Sequence, residues 1–453
     1  MKSLILSVLV TATAMAADFR RDEVQRLDWG PYKTVWLEDD RYPVATVSIY
    51  FADGALRDGA REAGQAQTAF DLLMSGTPKY KQADLSSFFD FYGVDFGHSV
   101  THEYGVLTFS ALVKDLPAVV ERFCHVVREA NYPRKELVTH KQRVISRFRN
   151  LPSNHAALAE RAFRAVMMKG SSYEYPVEGS IASIELMQPA QLQQRWARLR
   201  DEAVKRFYIK GPREALFIKD KFLQECGWKT ASSASYKLRN PLSGMGHKIF
   251  FVPVPGANQA QVRMGRYLAG TEARDPDERM SLAADYLGGG FTSQLVQKVR
   301  VQRGLTYSVG AYASLQAEYG RAGINTFTKN ETVAELLALI REILKTNSSA
   351  AGIKVEDLTH MKSYVVGNYP FTFEGSDKFL AQLMQLDHLG EPMEKLYLFP
   401  QRINALTGKE LAEAIGRMFT WEEQVIVVVG DPSIRSQLEK FRQVEVVRPE
   451  TLL

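Results

Sequence analysis

The chain has 453 residues, 45% hydrophobic and 24% charged, which is ordinary globular material with length for more than one core. Its net charge of +5 is spread without any run of Lys and Arg, and no RNA- or DNA-binding motif occurs, so nucleic acid is excluded as a partner class. The two Cys lack C-x-x-C spacing, which argues against a cysteine-built metal or redox centre.

The opening, MKSLILSVLVTATAMAADF, reads as a secretory signal. Lys2 gives a short positive region, Leu4 to Val10 an apolar core, and Ala14-Met15-Ala16 an A-x-A cleavage site. Residues 1–16 are expected to be removed after Ala16, leaving a periplasmic or secreted chain. No other stretch is apolar for the roughly 18 residues of a membrane span. That compartment permits disulfides. Cys124 sits in an apolar helical pattern (VVERFCHVV) and reads as a core thiol, while Cys226 lies near a linker; a bond between them is permitted but not required.

Residues 35–37 and 45–51 alternate as strands, followed by a polar loop over 53–61. Residues 63–74 have helical spacing, with Ala66, Ala69, Phe70 and Leu73 inward and a stop at Gly76. A helix over 83–92, a hairpin of 94–100 with 104–112, and helices over 116–130, 134–150, 156–169 and 189–208 follow. A short strand at 214–219 (EALFIK) closes this half.

Residues 226–247 are rich in Ser, Gly and Lys without apolar period, and read as a linker between domains 17–225 and 248–453. Beyond it the plan repeats. KIFFVPV and residues 259–267 match the first two strands, and AADYLGGG matches AFDLLMSG, which aligns Asp71 with Asp285 and Gly76 with Gly290. A hairpin of 307–313 with 320–328, helices over 333–345, 354–369, 377–389 and 409–418, and the strand QVIVVVG complete the second half. Strands and helices do not alternate as βαβ. The predicted class is therefore α+β, two similar domains, each a largely antiparallel sheet packed with helices.

The most informative stretch is residues 285–312, DYLGGGFTSQLVQKVRVQRGLTYSVGAY. Three glycines predict a sharp break using positive φ, then a helix over about 294–301, a turn at Gly304 and a strand carrying Leu305, Tyr307 and Val309. Arg300 and Tyr307 are both hydrogen-bond donors that can point at a carbonyl oxygen or its oxyanion. As a whole the stretch resembles the C-terminal-half signature of the pitrilysin/insulinase (inverzincin) peptidase family. That resemblance implies two domains in a clasp around a cleft, and it implies that Arg300 and Tyr307 bind the substrate carbonyl beside a zinc ion.

The same resemblance places the zinc motif, H-x-x-E-H, on the helix after A-G-x-A, with a third ligand about 75 residues further on. The frame is present, but the motif positions hold Gln67, Phe70 and Asp71, and the third-ligand position falls near Arg147. Gln67 is a weak neutral ligand, Phe70 carries no proton, Arg147 repels a cation, and one carboxylate does not make a zinc site. No metal is expected in this chain. His98 and His102 read as two polar residues on one face of an extended strand, about 13 Å apart and unable to share a metal.

Within the family some members split the site between two chains, as do mitochondrial processing peptidase and paired bacterial peptidases. The resemblance thus implies a zinc-free subunit. Its partner would be a homologous chain carrying H-x-x-E-H and the zinc, and its substrates peptides. Three readings stand beside it: a structural or chaperone-like pseudoenzyme, a homodimeric peptide-binding module, and an enzyme with an unrecognised site.

Overall fold

The structure, a computed structural model, describes residues 24–229, 238–269 and 277–453; the expected signal and part of the expected linker lie outside the described residues. Runs of β-branched and aromatic residues set the strands. β1 (Val24–Trp29), β2 (Tyr32–Glu38), β3 (Val44–Phe51), β4 (Asp95–Val100), β5 (Gly105–Leu112) and β6 (Lys205–Gly211) form one sheet in the order β1-β2-β6-β3-β5-β4. β7 (Lys248–Pro253), β8 (Gln259–Ala269), β9 (Val309–Leu315), β10 (Tyr319–Lys329), β11 (Val425–Gly430) and β12 (Gln443–Val446) form the other, in the order β12-β7-β11-β8-β10-β9. Pairing is antiparallel except for β2 against β6, and for β7 against β11 and β12. The halves repeat one plan: a late strand of each, β6 or β11, inserts parallel to an early one, β2 or β7, and antiparallel to the next, β3 or β8.

The first half carries α1 (Gln65–Asp71), α2 (Gln82–Phe91), α3 (Leu116–Glu129), α4 (Arg134–Arg149), α5 (His155–Met167), α6 (Ile181–Leu186), α7 (Pro189–Glu202) and α8 (Ile218–Glu225). The second carries α9 (Asp277–Gly288), α10 (Val333–Asn347), α11 (Val355–Asn368), α12 (Ser376–Leu389), α13 (Glu394–Ala405), α14 (Gly408–Phe419) and α15 (Arg435–Leu438). One expected boundary moves. The strand that closes the first half is β6 (KRFYIKG), and the EALFIK stretch is helical. Helical spacing carried the sequence reading through Tyr208. Pairing with β2 and β3 overrides it and buries Phe207, Tyr208 and Ile209 completely.

The halves interlock. The first sheet packs Trp36, Val47, Ile49, Phe109 and Phe207 against its own helices. Its other face, with Val35, Leu37, Tyr50 and Tyr208, is covered by Phe379, Leu380, Leu383 and Leu386 of α12, a helix of the second half. The second sheet does the reverse: Phe250, Val252, Val427 and Val429 are covered by Leu158, Ala159, Ala162 and Phe163 of α5. This explains runs such as VIVVVG, which have no exposed face to keep polar.

Cys124 and Cys226 are bonded, joining α3 to the end of α8. Both are fully buried in the first core, as is most of Trp228, so that core reaches into the stretch read as linker. No helix among the described residues is long and apolar enough to cross a membrane.

Candidate functional site

Two regions matter, one in each half. In the first, the loop before α1 is pinned by a buried ion network. Arg195 of α7 reaches Asp53 at 2.9 Å and Asp58 at 3.0 Å, and Asp58 also accepts the backbone N–H of Ala66 at 2.8 Å. Gly64, with φ of +91°, turns the chain into α1. These contacts fix the helix that carries Gln67, Phe70 and Asp71.

Phe70 turns inward. It is 3% exposed, packs edge-on to Phe51 and Trp196, and fills the space beside Gly105, where a Cβ would sit 2.6 Å from its ring. The position that would hold a catalytic base is part of the core. Asp71 instead collects partners. Gln67 Nε2 donates to its Oδ1 at 2.8 Å, and His98 Nε2 of β4 lies 2.7 Å from the same oxygen. His140 of α4 approaches Oδ2 at 3.6 Å. Burial works against the Asp71 carboxylate, but the bonds from His98 and Gln67 and the nearness of His140 outweigh it and hold its pKa below the ordinary value. Burial pushes the His140 imidazole down, Asp71 opposes that, and Arg143 and Arg147 add to it, so the ring is neutral at neutral pH.

A zinc ion does not fit this arrangement. Arg143 donates to His140 Nδ1 at 3.0 Å, which leaves the ring proton on Nε2, facing Asp71, where a metal ligand needs a lone pair. Oδ1 of Asp71 is taken by Gln67 and His98, while Oδ2 has only the His140 ring at 3.6 Å. Arg147, at the expected third-ligand position, is exposed. Among the described residues no group of three or more His, Cys, Asp or Glu is placed to hold a metal ion.

Sequence reasoning missed His98 and His140 here. Pairing His98 with His102 was misleading, because β4 ends at Val100 and His102 lies in the following turn. His102 is buried, with Nε2 2.8 Å from the Tyr175 carbonyl and Arg164 beside the ring. The usable signal was that His140 and Arg147 are seven apart, on one face of a helix.

The second region is the lip formed by residues 288–308. Its three glycines do not adopt positive φ, as the sequence suggested. Gly288 is needed for close approach: a Cβ there would lie 2.1 Å from the Ala311 backbone nitrogen. The helix over Val296–Gln302 is a π-helix, an uncommon form often found at functional positions, and it places Arg300 at its last turn. Gly304 (φ +61°) and the bond from Leu305 N–H to the Val299 carbonyl close it. Tyr307 sits in the loop before β9, not in the strand. The loop is fastened from beneath: Thr326 donates to the Ser308 carbonyl at 3.0 Å and Thr328 to the Leu305 carbonyl at 2.6 Å.

Above this support the functional groups are open. Tyr307 is 80% exposed and Phe291 63%. The Arg300 guanidinium lies over both rings, at 5.5 and 5.8 Å. These contacts orient Arg300 without consuming its N–H donors. The recorded contacts of Arg300 and Tyr307 stay within the lip, and those of Gln67 and Asp71 within the first half, so the structure does not bring the two sets together.

A two-domain α+β chain with a Gln67–Asp71–His98 cluster where a metal centre would be, and an open Arg/Tyr lip, matches one family. Residues 34–180 match "Insulinase (Peptidase family M16)" and residues 227–365 match "Peptidase M16 inactive domain". Together these take in more than half of the chain, which belongs to the insulinase (M16) peptidase family, on the side of its inactive members. Among curated relatives, a "Non-peptidase homolog" of Helicobacter pylori is 20% identical over 86% of this chain and 90% of its own length. An uncharacterised zinc protease of Mycobacterium tuberculosis is 24% identical over 75% of this chain and 77% of its own. Among solved structures, a peptidase M16 inactive domain from Pseudomonas fluorescens superposes with a TM-score of 0.78 at 22% identity, covering 90% of this chain and 98% of its own. The first half of the periplasmic protease PqqL from Escherichia coli gives 0.72 at 15% identity, over 92% and 94%.

Proposed function

We propose that this chain is the zinc-free, substrate-binding subunit of a heterodimeric zinc metallopeptidase. The observation that carries it is the contrast within the molecule: the donors of Arg300 and Tyr307 are oriented and exposed, while Phe70 is part of the core and the Asp71 carboxylate is held by Gln67 and His98. Arg300 and Tyr307 hold the carbonyl of the peptide bond under attack and stabilise the charge that develops on its oxygen. The zinc and its activated water belong to a homologous partner carrying H-x-x-E-H, and the cleft closes between the two chains. The Cys124–Cys226 bond supports an oxidising compartment, in keeping with a cleaved signal at residues 1–16 and a periplasmic or secreted chain.

A second reading is a pseudoenzyme that serves as a structural, chaperone-like or peptide-binding module. The relative named as a non-peptidase homolog favours it. Co-purification from periplasmic extract separates the two. A stoichiometric, similar-sized chain containing H-x-x-E-H supports the split site; recovery alone or with an unrelated complex overturns it. Within a reconstituted pair, unchanged peptide hydrolysis by Arg300→Ala with Tyr307→Phe would falsify the assigned roles.

A further inference from the structure

Outside both regions, a pocket of about 470 Å³ opens between the start of α2 and the outer side of α3. Its wall is cationic. The Arg122 guanidinium is held flat between two rings, its Cζ 3.9 Å from the centre of Tyr80 and 4.0 Å from that of Phe88. Lys79 Nζ lies 5.1 Å from the Tyr80 ring, and the His125 ring is 5.1 Å from it on another side. Arg128 completes the lining. Tyr80 is thus a hub around which three basic groups gather.

Charges of one sign crowded together cost free energy unless something neutralises them. Among the described residues none of Lys79, Arg122 and Arg128 has a carboxylate within ion-pair distance. Two carboxylates also line the pocket, Glu121 and Glu225, and both turn to Lys221, at 3.0 and 3.7 Å; Lys221 first, and then Arg122 and Lys79, hold the Glu121 carboxyl below its ordinary pKa. His125 registers the field. Burial first, then the charges of Arg128, Lys79 and Arg122, push its imidazole below the ordinary value, against Glu129. The ring is therefore neutral at neutral pH, and with the Thr77 hydroxyl donating to Nε2 at 3.3 Å its one N–H donor is on Nδ1.

We propose that this pocket binds the phosphate group of a small phosphate monoester. A guanidinium fixed between two rings presents its fork for bidentate contact with an oxyanion. An ammonium adds a point charge and an imidazole a single directed donor. Donors of three geometries around one space suit a tetrahedral dianion better than a planar carboxylate. The volume exceeds that of a phosphate group, which leaves room for the organic part of an ester beside Tyr80.

The test is isothermal titration of the full chain with O-phospho-L-serine, with inorganic phosphate and L-serine as separate probes. Saturable binding of the monoester, tighter than that of phosphate and absent for serine, is expected. Arg122→Gln should weaken it roughly ten-fold or more, the scale of one charge-assisted hydrogen bond. Because Arg122 also packs two rings, Lys79→Gln with Arg128→Gln, at exposed positions, tests the site without disturbing that packing and should weaken binding by a similar factor. No saturable heat with either anion, or equal affinity in both variants and the parent, overturns the site. Phosphate binding as tightly as the monoester overturns the assignment to an ester.

Discussion

The Asp71 cluster and the Arg300 lip occupy different halves of one repeated plan and differ in how their polar groups are used. At Asp71 the donors and acceptors face each other: Gln67, His98 and His140 surround one carboxylate, and Phe70 closes the floor. At the lip the polar tips face solvent, and the supporting bonds come from Thr326 and Thr328 below. Gln67 and His98 spend their polar groups on the Asp71 carboxylate, while the buried Nε2 of His140, 3.6 Å from it, makes no hydrogen bond. At the lip the hydrogen bonds set the posture of the loop, and the Arg300 and Tyr307 side chains stay exposed above it.

Four experiments break or sharpen that contrast. The largest effect is expected from Arg195→Ala, which leaves the buried carboxylate of Asp58 without its counter-charge and that of Asp53 with Arg57 alone, and loosens the loop before α1. Urea unfolding should show a loss of about 3–5 kcal/mol. At the lip, Arg300→Ala with Tyr307→Phe should leave the urea midpoint within about 0.5 kcal/mol of the parent, since both side chains are exposed. In the reconstituted pair, kcat should fall by about 10²-fold or more. A large stability loss there would mean that the lip is structural.

Cys124→Ala with Cys226→Ala removes a cross-link spanning 102 residues and should cost about 2–5 kcal/mol, read from unfolding under non-reducing conditions. The smallest effect is at Asp71. Its carboxyl has a folded pKa below the ordinary value, so the stability it gives is complete above that ordinary value and is lost as pH falls through the folded one. Asp71→Asn should cost about 1 kcal/mol near pH 7 and flatten the acid side of the stability curve; an unchanged acid slope would show that the cluster is not coupled to folding.

Much of this was legible in the chain. The α+β class, the internal repeat and both hairpins followed from periodicity, since alternation over four or more residues marks a half-buried strand. The family was legible through the string around Arg300 and Tyr307. What failed did so for identifiable reasons. β6 was hidden because it continues without a breaker from α7, and only pairing with β2 and β3 decides its state. The π-helical turn before Gly304 leaves no mark in spacing. His98 and His140 join Asp71 from a different strand and a different helix, and no local pattern links positions so distant along the chain. The glycines after Asp285 were noticed for the wrong property: proximity of α9 to β9 requires Gly288, while the backbone there is unremarkable.

The exchange of α5 and α12 bears on how the chain becomes a protein. The first sheet emerges early in synthesis, yet the helix that covers its outer face is encoded far towards the other end. Until then Val35, Leu37, Tyr50 and Tyr208 have nothing of their own half to lie against. Neither half is a self-sufficient folding unit, and a fragment ending near residue 229 would be sticky and aggregation-prone. Such a chain completes itself only once nearly all of it is present.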